Sequence, residues 1–226
     1  MQTSAWLRTL LVSALAYSTA ASAATSVIQL DFSGVGNRAE IKTFYSGGSD
    51  SQENTGVNYG ISFSDSALGL SDIDPDANFA GEPSPHNIMF FLSGSAYLNM
   101  SEGFTQGFSF YYSTIDFTGQ VDIYDGLNAT GTRLGSLTLD ALGEGPVPDR
   151  PYSNWKIAAL SFSGTAKSVN FSGTVNEVGF DNITLGSLDP SIPAVPEASS
   201  AAQLLLGLGV VALLRRRYGK TISTRA

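Results

Sequence analysis

The 226-residue chain contains no cysteine, which excludes disulfides, thiolate metal sites and a cysteine nucleophile. Its 24 glycines and 11% aromatic content, with only 14% charged residues, favour a turn-rich all-β domain over a helical one. Between an apolar leader and an apolar tail, residues 24–194 hold 6 basic side chains against 19 acidic ones. That net charge of −13 repels phosphate backbones and argues against nucleic-acid binding.

Residues 1–23 carry one positive charge (Arg8), an apolar run over 10–17, and small side chains at Ala21 and Ala23. The last two stand at the −3 and −1 positions that a signal peptidase requires to be small, so this segment is read as a signal peptide cleaved after Ala23. Its run is apolar all round and too short to span a bilayer. The implied partners are the Sec translocon and signal peptidase.

Residues 24–186 form one domain of roughly 160 residues, enough to bury a real core. Short alternating runs separated by turn residues predict strands at 27–32, 59–63, 88–92, 96–100, 108–112, 121–124, 134–139, 157–162, 168–171 and 178–185. Alternation places Phe108, Phe110 and Tyr112 on one face. The 121–124 and 134–139 strands flank a turn containing Asp125, Gly126, Asn128 and Gly131 and read as a hairpin. Residues 47–56, 72–85 and 143–151 read as surface loops, the last because its prolines do not continue a central strand. The predicted fold is an all-β, two-sheet, jelly-roll-like β-sandwich.

Within this domain the sequence singles out no catalytic residue. His86 is the one histidine, and no nucleophile-elbow sequence accompanies it. Asp72, Asp74 and Asp76 offer oxygens at alternate positions, as the first half of a calcium loop does. Ala77 and Pro83, however, stand where such a loop needs Gly and Glu. The readings left open are an irregular Ca²⁺ site and a solvated acidic loop. Tyr45, Tyr59, Tyr97, Tyr111, Tyr152 and Trp155 could act as platforms for sugar rings, or equally as core and rim residues.

A Pro/Ser linker, residues 187–194, leads to the C-terminal segment 195–218. It opens with Val195, Pro196 and Glu197 and continues through an apolar stretch from Ala201 to Leu214 that includes Leu204, Leu205, Leu206, Gly207, Leu208, Gly209, Val210, Val211 and Leu213. The cluster Arg215, Arg216 and Arg217 closes it, and residues 219–226 follow as a cytoplasmic tail. At 1.5 Å per residue the stretch makes a helix of about 21 Å, short for a bilayer core of about 30 Å. The arginines read as a stop-transfer signal that stays in the cytoplasm.

Short motif, marginal helix and arginine cluster together resemble the PEP-CTERM sorting signal of Gram-negative bacteria that make exopolysaccharide. Ala198 stands where that family usually has a second proline. The resemblance implies an exosortase-like membrane transpeptidase as partner, acting at or near Pro196 and Glu197. It further implies anchoring at the inner membrane, then display on the cell surface or in a biofilm matrix, and association with exopolysaccharide.

Residues 108–112 and 124–126 are similar to inner strands of extracellular sandwich domains that often carry PEP-CTERM tails, and 178–185 resemble the last strand of carbohydrate-binding-module jelly rolls. That resemblance implies a structural Ca²⁺ beside the first and last strands, held by Asp31 and Asp181. The expected protein is exported, sorted and non-catalytic. The alternatives are a carbohydrate-active enzyme on the same scaffold and an uncleaved single-pass membrane protein.

Overall fold

The computed structural model describes residues 27–191. The segments expected to be a signal peptide (1–23) and a sorting signal (195–218) lie outside the described residues.

Eleven strands are formed: β1 (Ile28–Leu30), β2 (Ile61–Phe63), β3 (Ala67–Ser71), β4 (Asn87–Phe91), β5 (Ala96–Phe104), β6 (Gly107–Ser113), β7 (Gly119–Tyr124), β8 (Arg133–Leu139), β9 (Lys156–Ser161), β10 (Ala166–Gly173) and β11 (Gly179–Leu185), with one 3₁₀ turn at Phe44–Ser46. Antiparallel pairs β4/β11, β5/β10, β6/β9 and β7/β8 nest inside one another as a single long hairpin. Rolling that hairpin gives the sheet orders β4-β11-β6-β9 and β5-β10-β7-β8, which is jelly-roll connectivity. β3 extends the first sheet beyond β4, β1 pairs with the far half of β11, and β2 extends the second sheet beyond β5. The expected sandwich is the observed one.

The core follows from alternation. Phe108 and Phe110 on β6, Phe171 on β10 and Phe180 on β11 are each fully buried between the sheets. Phe171 has its ring centroid 4.9 Å from that of Phe180 and 6.2 Å from that of Phe110, both edge-on.

A second, smaller cluster forms on the outer side of the six-stranded sheet. There Phe79, Ala77 and Ile88 are buried with Leu70, Tyr152 and Trp155 packed against them. The loops 72–86 and 143–155 are fastened together over this cluster. The Arg150 guanidinium donates to the carbonyls of Asp72 and Phe79, both at 3.0 Å, and the Trp155 indole donates to the Ala80 carbonyl at 3.0 Å.

Ten of the strands lie where alternation places them; β3 was not expected. Its inward residues are Ala67, Gly69 and Ser71, while Leu68 and Leu70 point outward and are half-buried. The usual pattern is inverted, because Leu70 serves the outer cluster.

Truncating Phe171 to Ala empties the contact between the sheets and should cost about 3–5 kcal/mol, a large part of a typical domain stability. Trp155→Ala, at the smaller cluster, should cost less. Urea unfolding of the two variants against the parent checks the order.

Candidate functional site

The two outer faces of the sandwich differ. The six-stranded sheet is roofed by the loops just described, whereas the five-stranded sheet presents a polar surface. On β7, Val121 and Ile123 enter the core, so Gln120, Asp122 and Tyr124 point outward. On β10, Val169 and Phe171 point in, and Ser168, Asn170 and Ser172 point out. On β5, Ala96 and Leu98 point in, and Tyr97 and Asn99 point out.

Strand register arranges these outward residues in rows. The first runs Ser62, Asn99, Ser168, Tyr124, Arg133. The second runs Tyr97, Asn170, Asp122, Ser136, and the third Ser172, Gln120, Thr138. At about 4.8 Å per strand the second row is about 14 Å long.

The β7–β8 connection, residues 125–132, folds back over the first row. Its Asn128 and Ala129 amides donate to Asn99 Oδ1 (2.7 Å) and Ser168 Oγ (2.9 Å), and the Ser168 hydroxyl donates to the Gly126 carbonyl (2.6 Å). Asn128 and Ala129 both hold left-handed backbone, at φ 54° and 56°. Such strain in a non-glycine residue persists where surrounding contacts fix it. The second and third rows are left as a trough walled on one side by this loop.

In the trough, Asp122 is 5% exposed. Gln120 Nε2 donates to its Oδ2 at 2.9 Å, and Arg133 Nη1 stands 3.6 Å from its Oδ1. Asp122 Oδ1 and the neighbouring Asn170 Oδ1 are buried acceptors with no hydrogen-bond donor among the described residues. Tyr97 flanks them with a half-buried ring. An aromatic ring beside the outward Gln120, Ser136, Ser172 and Thr138 suits a ligand that combines C–H faces with many hydroxyls.

The aromatic residues named from sequence separate accordingly. Tyr45 is 4% exposed and belongs to the core, with Tyr59 stacked against it at 6.2 Å. Tyr152 and Trp155 are committed to the outer cluster, and the Tyr152 hydroxyl donates to Glu177. Tyr111 lies on the roofed sheet, opposite Asp181. Only Tyr97 of that set reaches the trough. Tyr124, Gln120, Asp122, Asn170 and Arg133 were not singled out, although the alternation of 119–124 already separates Gln120, Asp122 and Tyr124 from Val121 and Ile123.

The acidic candidates do not converge. Asp72 pairs with His86 (Oδ1 to Nδ1, 2.9 Å). Asp74 accepts from Asn37 Nδ2 (2.6 Å) and from the Asp76 amide (3.0 Å) and faces Arg38. Asp76 is exposed. Hydrogen bonding from the Asp76 amide and from Asn37, with Arg38 nearby, holds the Asp74 carboxyl below the usual range.

Asp181 is fully buried where β11 exchanges β4 for β1 as its neighbour, beside the left-handed Asn182 (φ 48°). It accepts from the Ser84 amide (2.7 Å), the Ser84 hydroxyl (2.5 Å) and the Asn182 amide (2.7 Å). Asp31 accepts the Ser33 amide at 3.1 Å. Both acids accept hydrogen bonds from protein donors, Asp181 from three and Asp31 from one. Among the described residues, no group of three or more acidic, His or Cys side chains is placed to hold a metal. Ser84 and His86 are likewise wired to different acids, Asp181 and Asp72, with no Ser–His hydrogen bond. A wide cleft of about 730 Å³ lies beside Asn37, Asp74, His86 and Asn87, and its lining includes no Phe, Tyr or Trp.

No family model and no curated protein matches the chain. Among solved structures, the chain is similar to the K2 cleaved adhesin domain of Lys-gingipain, at 14% identity and a TM-score of 0.47, over 71% of this chain and 98% of that one. It is also similar to the family 11 carbohydrate-binding module from Clostridium thermocellum, at 14% identity and a TM-score of 0.35, over 74% and 99%. A family 6 carbohydrate-binding module matches at 15% identity and a TM-score of 0.32, over 52% and 92%.

Burial pushes the Asp181 carboxyl up to about 6 from an ordinary 3.8, against the pull of its three donors. The Ser84 hydroxyl has one proton and two acceptors, Asp181 Oδ1 and the Asp31 carbonyl (2.9 Å). A protonated Asp181 resolves this by donating to Ser84, which donates onward to Asp31. Stability from this group is therefore fully present below pH 3.8 and is lost as pH rises towards 6. At 1.36 kcal/mol per unit, about 3 kcal/mol is involved. Glu82, raised by burial and by nearby Asp72, acts in the same direction. Thermal melts between pH 4 and 6.5 should show a falling midpoint in the parent. Asp181→Asn, whose amide imitates the protonated acid, should remove most of that slope.

Proposed function

We propose that the protein is an exported, non-catalytic surface or matrix component that binds polysaccharide in the trough of its five-stranded sheet. In this reading residues 1–23 direct export. Residues 195–218 hold the chain at the inner membrane until an exosortase-like transpeptidase processes it, and the mature domain then associates with exopolysaccharide. The observation that carries the reading is the contrast between the outer faces. Loops roof one, while the other leaves Tyr97 and the polar side chains of Gln120, Ser136, Ser172 and Thr138 at its surface. The strand spacing of about 4.8 Å is close to the length of one hexose ring, so a glycan lying across the strands meets a new strand with each sugar.

The sorting half of the reading is supported by the sequence motif alone. Among the described residues no helix is long and apolar enough to cross a membrane. A non-catalytic role is favoured by the separate wiring of Ser84 and His86 and by a trough with one central carboxyl rather than two that face each other.

Two measurements test the proposal. A polysaccharide array probed with the full-length chain in mild detergent should show binding without release of reducing ends. Tyr97→Ala should weaken that binding about tenfold with the melting temperature little changed. Mass spectrometry of exported protein should find an N-terminus at Ala24 and a C-terminus near Pro196. Peptides containing Arg215 on exported material would instead favour the uncleaved anchor.

A further inference from the structure

We infer that the trough takes the interior of a linear polysaccharide, laid across the strands with about four consecutive sugars in contact. This rests on the reading of the open face as a glycan site. It adds to that reading the part of the polymer that is recognised and its direction over the sheet.

The wall sets the direction. Residues 125–132 leave β7 and return to β8, and in between the loop reaches over the other two strands. The Ala129 amide donates to Ser168 Oγ on β10 at 2.9 Å. Asn128 and Asn99 of β5 pair reciprocally: the Asn128 amide donates to Asn99 Oδ1 at 2.7 Å, and Asn99 Nδ2 donates to Asn128 Oδ1 at 2.8 Å. The wall therefore runs across four strands. Along the strands, only the second and third rows lie free of it, two residues or about 7 Å apart. The pairing of β10 with β7 ends one residue beyond the third row, at Gly173 and Gly119. Across the strands the second row alone offers about 14 Å. A polymer gains most contact by lying parallel to the wall.

The two ends of that row decide which part of the polymer is bound. At one end β8 is the edge of its sheet, where Ser136 and, in the third row, Thr138 are small and exposed. At the other end stands Tyr97 on β5. Its neighbour β2 stops at Phe63, opposite Leu98, and the chain then crosses to β3 in the other sheet. Neither end carries a further strand to halt a polymer, whereas recognition of a chain terminus needs a closed end. At about one strand spacing of 4.8 Å per sugar, one ring meets Tyr97 and the next three pass over β10, β7 and β8. Asp122 lies beneath them as floor, held by Gln120 and Arg133. The side chains that line the path are those of Gln120, Ser136, Ser172 and Thr138.

Ser136 separates this inference from simple docking on Tyr97. It is exposed on an edge strand, so Ser136→Leu leaves the core as it is and should hold the melting temperature. Its added bulk stands in the exit over β8.

Calorimetry would use the full-length chain in mild detergent against cello-, laminari- and manno-oligosaccharides of two to six sugars. A soluble β-glucan and a soluble mannan serve as the polymers. In at least one series, affinity should rise about tenfold from two sugars to four and then level off. The corresponding polymer should carry several protein molecules per chain. Ser136→Leu should weaken binding of four sugars and longer about tenfold and leave two sugars unaffected, while Tyr97→Ala weakens every length. Affinity level from two sugars upward, one protein per polymer chain, or undiminished binding of the longer sugars by Ser136→Leu would overturn the inference. If Tyr97→Ala still impaired binding in that case, the trough would stand as the site. Binding indifferent to both substitutions, or none to any series, would overturn the site itself.

Discussion

The period of two along each strand is the constraint on which the rest of the molecule depends. Burying Phe108, Phe110, Phe171 and Phe180 between the sheets fixes the register of β6, β10 and β11. A slip of one residue would carry every one of those rings to the outside. Register, once fixed, dictates what stands outside as strictly as what stands inside. Val121 and Ile123 cannot be core residues unless Gln120, Asp122 and Tyr124 face the other way. The trough is therefore a consequence of the core.

The opposite face shows how a sheet surface is lost as a potential site. Leu70 and Ile88 make it apolar, and two loops cover it, one with Phe79 and the other with Arg150, Tyr152 and Trp155. Asp181 belongs to the same construction. At the point where β4 gives way to β1, a carboxyl bridges the gap by drawing Ser84, and so the loop before β4, down onto β11. Its burial costs charge solvation, which is why its proton is held more tightly than in water. Three donors, two of them from Ser84, make that cost tolerable.

Alternation made most of the fold legible from sequence. Ten strands, the hairpin across 125–132 and the two-sheet architecture all follow from runs of period two broken by turn residues. β3 escaped because Ala67, Gly69 and Ser71 take its inward places and its leucines serve a second core that exists only after two distant loops meet. The same gap explains the aromatic residues. Trp155 and Tyr97 are equally plausible platforms in sequence, and only the roofing of one sheet separates them. Asp122 was legible in principle, as an acid between Val121 and Ile123. Its unmet oxygen depends on which residues of β8 and β10 stand beside it, a matter of register between strands that no single run encodes.

Orientation joins the site to the ends of the chain. Ile28 pairs with Leu185, and Gln29 donates to the Pro190 carbonyl, so both ends of the described chain leave from one pole. The strand directions put the 125–132 wall at that same pole, since β7 runs towards it and β8 away. The rows beyond the wall open towards the far pole, where the Asn176 amide ties the β10–β11 loop to the Phe91 carbonyl and Leu92, Phe117 and Val175 are exposed. For a chain tethered through its C-terminal segment, the wall would stand on the membrane side of the trough and the open rows on the side facing outward. A polymer in the surrounding matrix would then reach Tyr97 and the outward hydroxyls of Ser136 and Thr138 without passing between the domain and the surface that holds it.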